Sequence, residues 1–113
     1  MIYDIEPVDA VFGAVGEGIA PTNAVSQAQS LALAKRAAIA DAHRQLAEKL
    51  YGVKINSKDT VRDAMLRDST ITSQVAGLIK NASIVEHDFK DGLYRVRMEM
   101  KIDQNKWQEI FAY

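Results

Sequence analysis

Strict alternation of apolar and polar positions marks the last third of the chain. From Leu93 to Ile102, Tyr94, Val96, Met98, Met100 and Ile102 share one parity, and Arg95, Arg97, Glu99 and Lys101 share the other. A period of two with one apolar and one charged face predicts an antiparallel strand, buried on one side and wet on the other. Asp91-Gly92 comes just before it, a dipeptide favoured in two-residue hairpin turns. That turn sets a register in which Phe89 opposes Tyr94, Asp88 opposes Arg95, His87 opposes Val96, Glu86 opposes Arg97 and Val85 opposes Met98. Acid then meets base twice on the wet face, and each such pair contributes about 0.2–1 kcal/mol. A slip by one residue would turn every side chain to the wrong face.

A second strand is expected over residues 9–20 (Asp9 to Ala20). Val11, Val15 and Ile19 share one parity there, and Phe12 shares the other with small residues that include Gly16 and Gly18. Glycine weakens a strand unless it marks a bulge or lets another backbone come close, and both explanations stand at this point. Pro21-Thr22-Asn23 ends the strand and offers a helix cap at Thr22 or Asn23. No proline or glycine follows until Gly52, which suits the left-handed position just past a helix end. A helix of about 28 residues would be about 42 Å long. Leu31, Ala38, Ala42, Leu46 and Leu50 lie near one stripe of it, with Ala28, Leu33 and Ile39 nearby. The many alanines favour helix and keep the rod thin.

Val53 to Asn56 alternates as a short strand would, while Ser57 to Asp68 is polar and ambiguous. Val61, Met65 and Leu66 could set one or two helical turns on the core. Asp68, Ser69 and Thr70 supply capping oxygens for a helix carrying Ile71, Val75, Leu78 and Ile79 at amphipathic spacing. After Asp103, residues 104–113 read as a terminal helix. Trp107, Ile110 and Phe111 form an apolar stripe on it, and Tyr113 ends the chain. Large apolar groups there must pack on the domain or on a partner. The expected architecture is α+β in a single domain, 1–113. A long α-helix packs on an antiparallel sheet of three to four strands, in the order β-α-(β)-α-β-β-α.

The composition does not alter that picture. Over 113 residues, 48% are apolar and 26% charged, an ordinary globular balance. A net charge of −1 gives no global pull toward nucleic acid or an anionic membrane. The absence of cysteine removes thiolate chemistry and disulfides. No apolar run approaches the ~20 residues that a membrane span needs, and Met1 to Pro7 does not have the pattern of a signal peptide.

Candidate chemistry is sparse. His43 is expected at a solvent-facing or helix-edge position, and His87 sits on the apolar parity of the hairpin as a core or rim histidine. Two histidines on separate elements make a poor metal site. Asp59, Asp63 and Asp68 are interleaved with Lys58, Arg62 and Arg67, which favours mutual neutralisation. Gly13 to Gly18 is glycine-rich but lacks the context of a dinucleotide or phosphate loop. Arg95, Arg97 and Lys101 alternate with acids, so a stacking platform for RNA is not expected. No catalytic residue, cofactor or metal ligand is assigned.

The run from Lys35 to Ile55 carries the rhythm R-A-x-x-x-D-A-x-R-x-L-A-E-x-x-Y-G, here Arg36-Ala37, Asp41-Ala42, Arg44, Leu46-Ala47-Glu48 and Tyr51-Gly52. Ile55, Ser57, Thr60 and Val61 follow, then Val75, Gly77, Ile79 and Ala82, then Met98-Glu99-Met100. Over residues 9–103 this pattern resembles the FlgP-type flagellar outer-membrane lipoproteins, part of the LPP-twenty group that is related to the N-terminal domain of FlgT. The resemblance implies a non-enzymatic structural protein of the flagellar motor periphery or outer membrane. Such a protein supports or forms a ring or disk by self-association on the periplasmic side or at the cell surface. It implies partners among copies of the chain and other flagellar or outer-membrane proteins. Any membrane contact would come only through a lipid anchor, and neither the signal peptide nor the acylated cysteine is in this sequence. The alternative is a periplasmic module that binds a small ligand or peptidoglycan. Expected contact residues are Trp107, Ile110, Phe111 and Tyr113, together with the exposed side of the long helix; the outer strand of the sheet is given less weight.

Overall fold

A computed structural model describes residues 10–111. It is α+β, as expected, with β1 (Ala10–Ile19), α1 (Gln27–Tyr51), α2 (Val61–Arg67), α3 (Ser69–Lys80), β2 (Ser83–Lys90), β3 (Leu93–Ile102) and α4 (Gln104–Phe111). The three strands form one antiparallel sheet in the order β1-β3-β2. The strand expected at Val53–Asn56 is absent. A single bridge from Lys54 to Thr60 stands in its place, because the chain turns back at once through Asn56 and Asp59.

The hairpin turn takes positive φ at both Asp91 (53°) and Gly92 (79°), the conformation that matches strand twist. Its register is the expected one from Lys90 back to Glu86. There it departs, since a bulge between Ile84 and Glu86 places Ile84, not Val85, opposite Met98. β1 pairs with β3 from Ala10↔Ile102 to Ile19↔Leu93. Tyr94, Val96, Met98, Met100 and Ile102 are all buried on the face turned to the helices.

α1 lies mainly over β1 and leans on β3. Its buried stripe is Ala34, Ala38, Ala42, Leu46 and Leu50. Helix and strand meet without side chains between them. A Cβ on Gly16 would come within 2.0 Å of the Ala38 carbonyl oxygen, and one on Gly18 within 2.1 Å of that of Ala34. Close approach, not a bulge, therefore explains these two glycines. Helix capping is by Ser26 rather than by Thr22 or Asn23, and the Ser26 hydroxyl accepts the Gln29 N–H at 3.1 Å. Gly52 has φ −86°, so it is not left-handed. Leu31 and Leu33 are exposed, because the first turns of α1 run past the end of β1, where Gly18 already meets Ala34.

The ambiguous polar segment forms α2, opened by a capping box between Thr60 and Asp63. Val61 and Ala64 are its buried residues, whereas Leu66 points to solvent. α3 is capped by Asp68 and buries Ile71, Val75 and Ile79.

Candidate functional site

Two-layer packing leaves the sheet with two edges and one bare face, and these are where the molecule can meet something else. The edges are built very differently. On β1 the even residues face β3, so the backbone groups of Gly13, Val15 and Glu17 point away from the sheet. All three are met by α1. Asp41 accepts the Glu17 N–H at 3.0 Å, the Gln45 side-chain amide donates to the Val15 carbonyl at 2.8 Å, and the Lys49 ammonium donates to the Gly13 carbonyl. Asp41, Gln45 and Lys49 recur every four residues, so they form one row along the helix. That row engages one outward backbone group on each of Gly13, Val15 and Glu17, and so obstructs the middle of this edge for a neighbouring strand.

Asp41 is held in this role by more than one partner. Arg44 binds its other oxygen at 2.7 Å and also reaches Glu48 at 3.0 Å. The Arg44 hydrogen bond, followed by the Glu17 N–H, keeps the Asp41 carboxyl below the usual aspartate range. The Arg44 guanidinium is raised in turn by the same carboxylate.

Among the described residues, β2 has no such cover. All eight of its residues are exposed, on both faces. With Lys90 and Leu93 flanking a two-residue turn, Lys90, Asp88 and Glu86 direct their backbone groups at β3. His87 and Phe89 direct theirs outward. Their side chains lie on the helix-facing side of the sheet, where α1 does not reach across. Phe89 is 44% exposed and Ile84 39%. Tyr94 is the anchor of this strip. Its ring stacks with His87 at 6.1 Å and meets Phe89 at 5.9 Å, and its hydroxyl is 3.2 Å from His87 Nδ1.

The bare face carries charge that is largely matched internally. Arg95 binds Glu17 at 2.8 Å and is raised by that contact first, with Asp88 a lesser contributor. The expected Asp88–Arg95 pair therefore gives way to a cross-strand pair with β1. Arg97 binds Glu86 at 3.2 Å, as the register predicts, and reaches Glu99 at 3.8 Å. A hollow on this face is lined by Val15, Glu86, His87, Asp88, Arg95 and Arg97, of which Glu86, Arg95 and Arg97 are engaged in the ion pairs above. Asp59 pairs with Arg67, and Asp63 is used in the Thr60 cap. Among the described residues, no group of three or more acids and histidines could hold a metal ion, and no helix is long and apolar enough to cross a membrane. His43 sits half-buried at the edge of α1, one of the two positions expected, with its Nε2 buried and without a partner.

The terminal helix needs a correction. Ile110 and Phe111 are buried in the chain's own core, and Trp107 packs partly buried against it, 4.5 Å from the Phe111 ring. Ile110 and Phe111 are thus covered by the domain itself, while Trp107 stays partly exposed. Tyr113 lies outside the described residues. The outer strand, given less weight from the sequence, is exposed along its whole length, and Leu31 and Leu33 on the long helix are exposed as well. Its signal was present in Ile84, Phe89 and the Asp91-Gly92 turn, but periodicity does not say how far a helix reaches across a sheet. No protein-family model matches the chain, and no curated protein matches it.

Proposed function

We propose that this chain is a non-enzymatic assembly module, one that builds or braces a ring or disk by self-association at the bacterial flagellar motor periphery or outer membrane. The observation that carries the assembly part is the contrast between the edges: β1 is obstructed by a row of α1 side chains, and β2, among the described residues, is exposed along its whole length. A strand left in this state is a template for pairing with another chain. The internal neutralisation of Asp41, Asp59, Glu17 and Glu86 supports the non-enzymatic part, since acids held in ion pairs are not poised as acid–base groups. The flagellar and outer-membrane setting rests on the motif resemblance between Lys35 and Met100.

Light scattering across a concentration series, with electron microscopy of the largest species, tests the assembly. Growth of defined oligomers is the expected result. A strict monomer that binds muropeptides or a small ligand in calorimetry would overturn it in favour of the periplasmic binding module. Removal of the gene from its host tests the setting: motility should fall, and unaltered swimming would rule out the flagellar role.

A further inference from the structure

We infer that β2 pairs antiparallel with β2 of a second copy of this chain, joining two three-stranded sheets into one six-stranded sheet about a two-fold axis. The inference rests on the assembly reading and names its partner and contact. The first ground is the asymmetry of the edges. A head-to-tail contact would bring β2 of one copy to β1 of the next, but there the Glu17 N–H and the Val15 and Gly13 carbonyls are already bonded to Asp41, Gln45 and Lys49, which must be displaced first. Among the described strands β2 is the less obstructed edge, and a patch that meets itself gives a closed two-fold dimer.

The second ground is charge. The outward backbone groups belong to His87 and Phe89, so these two must form the hydrogen-bonded pairs. Setting Phe89 of each copy opposite His87 of the other gives four ladder hydrogen bonds. In that register Lys90 faces Glu86 twice across the axis, on the bare face of the sheet. Asp88 meets its own copy at the centre, where Arg95 of each chain lies within electrostatic reach. Centring on His87 would instead oppose Asp88 and Glu86 twice, and centring on Phe89 would pair Asp88 with Lys90 but leave only the two ladder bonds of the Phe89 pair within the strand. On the helix-facing side, the two Phe89–His87 pairs bridge the two Tyr94 rings into one continuous aromatic row. The joint sheet ends on both sides at a β1 edge obstructed by α1, so strand pairing stops at two copies. A ring or disk then requires a further contact on another surface.

The test uses the full chain, which has no cysteine. In a non-hydrogen-bonded antiparallel pair the Cα atoms are about 4.5 Å apart, within disulfide range. Asp88→Cys should therefore cross-link to a covalent dimer under mild oxidation at micromolar concentration. Glu17→Cys, on the same face but in β1, should not. His87→Pro removes the outward N–H and should abolish the dimer in light scattering. Phe89→Lys should do the same without altering the backbone, and circular dichroism checks that each variant folds. Oligomers that form while Asp88→Cys stays uncross-linked would overturn the edge contact and leave the assembly reading standing. A chain that remains monomeric throughout would overturn both.

Discussion

Gly16 and Gly18 set the distance between the two layers. With hydrogen in place of Cβ, the backbone of α1 rests directly on β1, and a methyl group has no space at either position. Gly16→Ala or Gly18→Ala must push the helix away or distort the strand. Each should destabilise by about 1–3 kcal/mol or more in chemical unfolding. Gly13 is the internal control. Its added Cβ would face only the Met98 carbonyl oxygen at 3.8 Å, so Gly13→Ala should be neutral or gain about 0.5 kcal/mol. Asp41 acts at the same scale. Its folded pKa is depressed, chiefly by Arg44 and then by the Glu17 N–H. A depressed acid contributes stability above its unfolded pKa and loses that contribution as pH falls through the folded value. Asp41→Asn should therefore be less stable than the parent by a constant margin between about pH 5 and 8. The margin should shrink below about pH 4 and vanish in strong acid. Unfolding curves across that range would show it.

At the scale of the element, α4 is a packing element. Ile110 and Phe111 are 4% and 6% exposed. Phe111→Ala should cost about 3–5 kcal/mol of folding stability, read as a lower denaturation midpoint at a protein concentration where the chain is monomeric. A loss of association with unchanged stability would contradict this placement. α1 is the element with two duties. Its buried row, from Ala34 to Leu50, holds the layers together, and its second row, Asp41, Gln45 and Lys49, closes an edge. Both rows repeat every four residues, but only the buried one is apolar. A search for hydrophobic stripes finds the first and passes over the second.

Over the whole molecule, the obstructed edge decides what kind of assembly is possible. Replacing Asp41, Gln45 and Lys49 together by alanine would leave helix propensity intact while freeing the Glu17 N–H and the Val15 and Gly13 carbonyls. That variant should no longer stop at a closed pair. It should grow into open-ended, concentration-dependent aggregates, visible as rising light scattering and thioflavin binding, because β1 could then accept β2 of the next copy. An unchanged size distribution would show that the row has no protective role.

Much of this architecture was legible in the chain because it is written in local chemistry. The alternation from Tyr94 to Ile102, the Asp91-Gly92 turn, the Asp68 cap and the spacing of Ile71, Val75 and Ile79 each depend on neighbours a few residues apart. Thus the hairpin register from Lys90 back to Glu86, the helices α1, α3 and α4 and the α+β class follow from the sequence alone. The bulge at Val85, the start of α1 at Ser26 and the fate of the terminal stripe do not, because each depends on which distant surface arrives first. The same holds for the candidate site. Ile84, His87 and Phe89 have the pattern of a buried face, and whether they are covered depends on where a helix about 10–12 Å wide settles on a sheet whose strands lie about 4.8 Å apart. Gly16 and Gly18 draw α1 down onto β1, and a helix held there cannot also reach β2. The sequence by itself determined the elements and their apolar faces; the tertiary structure alone decided that one edge of the sheet is obstructed and the other left exposed.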